Sequence, residues 1–235
     1  MTKAPNPPAR NRILAALPSE DYERLAAQLA PVEMAHGELF YEAGQRIKYV
    51  YFPNNLMTSL VSQMADGENV EVGVIGFEGM VGISVALGME RAPHETMAQI
   101  PGHALRLEAG VLMDEFNRGG MLQRLLLRYT HTLMIQMGQS AACNRLHTIE
   151  ERLARWLLMC HDRVEGDDLA LTQEFISMML GVRRAGITNA AVALQAEGFI
   201  KYRRGHITVI DRPALEEFAC ECYAVIKADF DGLLN

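Results

Sequence analysis

Five cations crowd into one short stretch of an otherwise acidic chain. Between Leu171 and His206 stand Arg183, Arg184, Lys201, Arg203 and Arg204, opposed only by Glu174 and Glu197. The 235-residue chain as a whole carries a formal net charge of −7. A basic segment in such a chain addresses one localised anionic partner rather than making the protein generally adhesive. The side-chain types narrow the partner. A guanidinium bonds guanine O6 and N7 with two parallel donors, and an Asn amide does the same for adenine. Arg and Lys also neutralise phosphates. Thr188 and Asn189 lie one helical turn beyond Arg183-Arg184. The chemistry offered is recognition of a duplex, not bond-making.

The elements that must position these groups are legible in the same stretch. Thr172 is a natural helix N-cap, and a short helix is predicted over Gln173 to Leu180. Gly181 supplies the left-handed turn and Val182 a buried turn residue. A second helix is predicted from about Arg183 to Glu197, with Ile187, Ala190, Ala191 and Leu194 inward and Gly198 at its end. Two β-like pieces follow, Phe199 to Tyr202 and Ile207 to Ile210, joined by Arg203-Arg204-Gly205-His206. Helix, glycine turn, helix and basic hairpin together predict a winged helix-turn-helix. Its expected DNA contacts are Thr172, Gln173, Arg183, Arg184, Thr188, Asn189, Lys201, Arg203 and Arg204, with His206 as a further phosphate candidate.

Upstream, residues 12–30 read as helix, restarted at Pro18-Ser19. From Val32 to about Leu107 the texture is short β pieces: Val32 to His36, Tyr49 to Phe52, Leu60-Val61, Val70 to Ile75 and Ala104 to Leu107. Asp66-Gly67 between two apolar runs signals a hairpin, and the set suggests a β-sandwich or barrel. From about Val111 the period is helical. Met121 to His147 has apolar residues on more than one side, so it needs burial on two sides. One side is predicted to pack on the β-domain. The other is predicted to pair with a second copy, through Leu122, Leu126, Leu133 and Met137. Another helix is predicted over about Thr148 to Val164, followed by a polar break at Glu165-Gly166-Asp167-Asp168. The fold class is α+β, with domains at 12–118 (β-roll), 119–147 (dimerisation helix) and 148–222 (winged helix-turn-helix).

The four cysteines, Cys143, Cys160, Cys220 and Cys222, form neither a CxxC pair nor a disulfide framework. Cys220 and Cys222 could share one metal ion or oxidise, but two apart on a helix they are expected to point apart and to serve as small, partly buried side chains. No metal and no catalytic residue is expected. A cupin-type metalloenzyme would need a second histidine near His36-Gly37-Glu38, and none is there. No apolar run reaches transmembrane length, and Met1 to Asn11 lacks the apolar core of a secretory signal. A cytoplasmic protein is expected.

Leu171-Thr172-Gln173-Glu174, Gly181-Val182-Arg183-Arg184 and Leu194-Gln195-Ala196-Glu197-Gly198-Phe199-Ile200 resemble the helix-turn-helix of the Crp/Fnr family of bacterial transcription regulators. Gly37-Glu38-Leu39-Phe40, Gly44, Tyr49-Val50-Tyr51-Phe52 and Asp66-Gly67 resemble that family's cyclic-nucleotide-binding-type β-roll. Gly76-Phe77-Glu78-Gly79-Met80-Val81-Gly82 sits where its phosphate-binding cassette begins, and Met121 to His147 matches its dimerisation helix. The resemblance spans about residues 12–222. It implies a homodimer on an inverted-repeat operator, with RNA polymerase as a further partner. It also implies a signal from the β-roll that moves a hinge near Asn144 to Ile149. A DNA-free regulatory module that kept the fold for protein contacts is the competing reading.

Departures from the family pattern shape the rest. Gly79 is followed by Met80, which cannot accept from ribose hydroxyls, and Glu95 would repel a phosphate. The ligand pocket, if used, comprises Gly79, Met80, Val81, Arg91, Glu95 and Thr96. Its effector is unidentified, and cyclic AMP in the usual mode is not expected. No cofactor is expected: no cysteine precedes Cys143, so the family's N-terminal iron–sulfur sensor has no ligands, and no histidine is assigned to haem. Ala185-Gly186 stands where members carry a cytosine-reading Glu, which implies a different operator, with Ala185 suited to a thymine methyl.

Overall fold

In the computed structural model, Asn11 opens the first helix by accepting from the backbone N–H groups of Ile13 and Leu14 at 3.1 and 3.2 Å. Its amide nitrogen donates in turn to the carbonyls of Pro53 and Gly79, so the cap is also a tertiary tie. The structure describes residues 10–234. Most of the Met1 to Asn11 stretch lies outside the described residues. The chain forms two compact units, one of residues up to 58 with 75–131 and the last few residues, the other of residues 59–74 and 132–231.

The first unit begins with α1 (Arg12–Ala15) and α2 (Ser19–Ala26), the predicted restart falling at Pro18-Ser19. The strands are β1 (Ala30–Met34), β2 (Leu39–Tyr41), β3 (Tyr49–Pro53), β4 (Met57–Gln63), β5 (Asn69–Ile75), β6 (Glu95–Ile100) and β7 (Gly102–Glu108). β7 lies between β1 and β3, antiparallel to both, with Val32 opposite Ala104 and Tyr51 opposite Arg106. A second sheet runs in the order β2–β6–β4–β5, and β2 joins β6 through an irregular register between Leu39 and Tyr41. β4 and β5 extend beyond this unit, and their outer part, residues 59–74, belongs to the other. Periodicity did not predict β6. Its Thr96 and Gln99 are buried polar residues, which breaks the alternation that marks a half-buried strand.

α3 (Ala109–Asn117) leads to the 26-residue α4 (Met121–Leu146). Three of the four residues predicted for pairing with a second copy, Leu122, Leu126 and Leu133, are at most 5% exposed within one chain, and Met137 is half-buried. They serve the chain's own core. The exposed stripe of α4 is a different one: Arg124, Leu127, His131, Met134, Gly138, Ala141 and Arg145. Its steps of three and four residues are those of a coiled-coil seam.

The second unit is built on α5 (Ile149–His161). Thr148 and Glu151 form a reciprocal capping box that fixes where α5 starts. Arg152 through Cys160 are all buried, so α5 is enclosed on every side. Then come β8 (Asp168–Ala170), α6 (Gln173–Leu180), α7 (Arg184–Ala196), β9 (Ile200–Arg203), β10 (His206–Val209), α8 (Arg212–Phe218) and α9 (Cys222–Gly232). Cys220 lies in the break between α8 and α9 while Cys222 opens α9. The two thiols are therefore not on one helix, and the expectation that they point apart fails for that reason. Among the described residues no helix is long and apolar enough to cross a membrane.

Candidate nucleic-acid interface

Thr172 caps α6 as predicted, its hydroxyl accepting from the Phe175 N–H at 3.2 Å. α6 ends on Gly181 at φ 61°, and the Val182 N–H returns to the Ser177 carbonyl at 3.0 Å. This is the left-handed helix stop that glycine adopts without strain. The Gly181 site is also tight, since a Cβ there would lie 3.1 Å from the Val70 side chain of β5. Val182 is half-buried rather than buried.

α7 begins at Arg184, with Arg183 as its cap residue and no side-chain cap bond. Its first-turn N–H groups therefore keep the free donors and the positive end of the helix dipole. Ile187, Ala190, Ala191 and Leu194 are buried at the predicted inward spacing. Arg183, Arg184, Ala185 and Asn189 are exposed. Thr188 is differently employed: its hydroxyl lies 3.0 Å from Gln173 Oε1 and 3.1 Å from the Arg184 carbonyl, so it ties α7 to the start of α6.

β9 and β10 pair antiparallel with Arg203 opposite His206, leaving Arg204-Gly205 as a two-residue turn. Both turn residues have positive φ, 51° and 82°, the geometry that matches the twist of a hairpin. A third strand, β8, pairs with β10 and was not predicted, because its Asp168 falls within the polar break. That carboxylate accepts from His206 Nδ1 at 2.8 Å, so His206 is committed inside the wing sheet.

Alternation along β9 divides the wing cations. Ile200 and Tyr202 face the packed side, while Lys201 and Arg203 share the exposed side. Thr172, Gln173, Arg184, Tyr202, Arg204 and Gly205 line one shallow cleft. Tyr202 was missed as a site residue. Its hydroxyl donates to the Leu171 carbonyl at 3.2 Å and its N–H to Gln195 Oε1 at 2.7 Å, which anchors the wing to α7 and to the residue just before the α6 cap. Burial raises the Tyr202 pKa, so the phenol is a neutral donor. The two-residue period of β9 was the available signal, since it puts Tyr202 on the side of Ile200.

The predicted ligand-pocket residues are placed otherwise. Met80 and Val81 are fully buried, and a Cβ on Gly79 would lie 2.5 Å from the Tyr129 ring. The glycine at 79 is explained by that ring, which leaves no room for a side chain. Thr96 is buried in β6, Glu95 is half-buried, and Arg91 donates to the Gly44 carbonyl at 2.7 Å.

Residues 151–218 match the Crp-like helix-turn-helix domain. No curated protein is similar to the chain at a significant level. Among solved structures, FixK2 from Bradyrhizobium japonicum superposes with a TM-score of 0.71 at 16% identity, over 82% of this chain and 98% of that one. A CRP-family transcriptional regulator from Thermus thermophilus gives a TM-score of 0.65 at 19% identity, over 80% and 96%. The c-di-GMP responsive global regulator CLP from Xanthomonas campestris gives 0.61 at 13% identity, over 83% and 100%. Residues 151–218 are thus a Crp-like helix-turn-helix domain, and the chain has the fold of the Crp/Fnr regulators.

Proposed function

We propose that the chain is a sequence-specific transcription regulator that binds duplex DNA as a homodimer. The observation that carries this reading is the cleft joining Thr172 and Gln173 at the start of α6, Arg184 at the start of α7, and Arg204 at the wing tip. α7 enters the major groove by its N-terminal end, where Arg184 and Asn189 reach base edges and Ala185 meets a thymine methyl. Gln173 is held in place by Thr188 and contacts the backbone beside Thr172. Arg183 and Arg204 neutralise phosphates next to the groove, and Lys201 and Arg203 do so from the outer side of the wing.

Dimerisation uses the exposed stripe of α4, with Leu127 and Met134 at its centre, 50% and 66% exposed in the single chain. Large apolar side chains at seam spacing want a partner, and a second copy presents the same seam. The operator is then an inverted repeat with half-sites about 34 Å apart. The cassette residues of the β-roll pack its interior instead of opening onto a ligand, which supports a regulator that does not take cyclic AMP through them.

The test is selection from a random duplex library by the purified chain without added ligand. An enriched inverted repeat is the expected result. Binding without sequence preference, at any salt concentration, would leave only a general affinity for DNA. No binding would favour the protein-contact module.

A further inference from the structure

Three cysteines and a histidine that the DNA-binding reading does not use converge in the second unit. The thiols of Cys143, Cys220 and Cys222 and a ring nitrogen of His147 all lie within 4.8 Å of one another. Cys143 Sγ is 3.5 Å from Cys220 Sγ, and Cys222 Sγ is 3.5 Å from His147 Nδ1. We propose that these four residues bind one tetrahedral thiophilic metal ion, Zn²⁺ in the first instance.

The geometry fits one ion. Bonds of about 2.3 Å to sulfur and about 2.0 Å to nitrogen, arranged tetrahedrally, separate neighbouring ligand atoms by roughly 3.5–3.8 Å. The two resolved ligand contacts already have that length. Sulfurs this close leave space for a single ion and none for an iron–sulfur cluster. A disulfide would need about 2.05 Å between two of them, and all the cysteines are free thiols.

The residues come from two places. Cys143 lies in the last turn of α4, and His147, four residues on and just past the helix end, is still turned onto the same face by its N–H bond to the Cys143 carbonyl at 3.1 Å. Cys220 and Cys222 come from the break before α9 and from its first residue. Such convergence by ligand atoms, imidazole included, is not what packing of small side chains requires. The fourth cysteine, Cys160, is equally buried and stands outside the set.

The surroundings are those of a metal centre. The other nitrogen of His147, Nε2, is 3.3 Å from the Glu221 carboxylate, the arrangement that fixes the tautomer and orientation of a ligating imidazole. Gln139 donates an N–H to Cys222 Sγ at 3.2 Å. Three thiolates, a neutral imidazole and a dication sum to one negative charge. The buried Arg155 interacts electrostatically with Cys143, and the buried Arg152 with both Cys143 and Cys220. The Nε atom of each guanidinium lacks a hydrogen-bond partner among the described residues.

With four protein ligands the site is closed, which marks a structural rather than a catalytic ion. Its effect is a cross-link. The ion ties the end of α4, directly before the Thr148 cap of α5, to the segment that follows the wing. It thereby fixes the corner through which α4 leads into the helix-turn-helix. This inference does not rest on DNA binding.

The experiment uses the full chain, purified in reducing buffer with Zn²⁺ and desalted, with metal read by elemental analysis and affinity by competition with a chromophoric chelator. One Zn²⁺ per chain is expected. Replacement by Co²⁺ should give the intense visible bands of a tetrahedral site and thiolate-to-cobalt charge transfer, a readout that needs no substitution. Cys222→Ser should weaken binding by about a hundredfold or more, and Glu221→Gln by about tenfold. Cys160→Ser should leave binding unchanged. Absence of both retained Zn²⁺ and a Co²⁺ thiolate band would overturn the proposal. So would a chain mass two hydrogens low with Cys143 bonded to Cys220, or equal loss of metal in Cys160→Ser.

Discussion

The indole N–H of Trp156 on α5 donates to Oε1 of Glu71 on β5 at 2.8 Å, and the Ser59 hydroxyl donates to the other carboxylate oxygen at 2.6 Å. Glu71 is half-buried, and the loss of water around it pushes its carboxyl up to about 7 against the opposing pull of these two bonds and of Arg155 and Arg163. The outer β4–β5 hairpin is thus held to the helix-turn-helix unit by a carboxyl group that titrates near neutrality.

The sign of its effect follows from proton counting. Between the ordinary glutamate value and about 7, the folded chain holds a proton that the unfolded chain has released. The stabilisation is fully present below the ordinary value and is lost as pH rises through about 7. The total amounts to about 3 kcal/mol. Glu71→Gln should remove this dependence, so the difference between variant and parent in urea unfolding should grow across that window. A constant difference would show that Glu71 is ionised throughout.

Arg184→Ala should cost about 1–3 kcal/mol of operator binding and relax selection at one base pair in each half-site. Repeating the library selection with the variant reads both. Undiminished selectivity would remove Arg184 from base reading.

Arg203→Ala should weaken binding to all sequences alike and lower the salt slope by about one, because Arg203 lies on the wing face away from the cleft. A changed base preference would contradict that placement.

On α4 the two faces make opposite predictions. Met134→Glu should leave the unfolding free energy of the monomer nearly unchanged and shift sedimentation to the monomer, because Met134 is exposed in the single chain. Leu126→Ala should cost about 2–5 kcal/mol of stability through the cavity it leaves. Monomers from Leu126→Ala but not from Met134→Glu would restore the seam read from the sequence.

The sequence was most legible where local rules decide the structure. The boundaries of α6, the glycine stop at Gly181 and the inward set of α7 depend on capping, φ and helical period. They emerged nearly residue by residue. Which face of α4 the chain itself covers did not, because periodicity shows that a helix has two apolar sides without saying which one is covered. Leu126 and Leu127 are adjacent apolar residues, yet one is enclosed and the other half exposed. The cysteine–histidine set was illegible for another reason. Cys143 and Cys220 are 77 positions apart, and only the break between α8 and α9 turns the second thiol toward the first. Asp168 joins the wing through the pairing of β8 with β10, and the three residues of β8 are too short to announce a strand.

The exposed stripe of α4 is uneven along its length. Toward the first unit it carries Leu127, His131 and Met134, and toward the last turn Gly138 and Ala141. Nothing within 4 Å would meet a Cβ on Gly138 in the single chain. Interaxial distance follows the bulk of the side chains at the contact. In the proposed dimer, two such helices would therefore taper, wide at the bulky end and pinched at the end that continues into α5. Such a pinch would act as a fulcrum: one methyl group added at 138 would pry the proposed pair open beside the heads, whereas the same volume added at 127 would be absorbed where the helices stand apart.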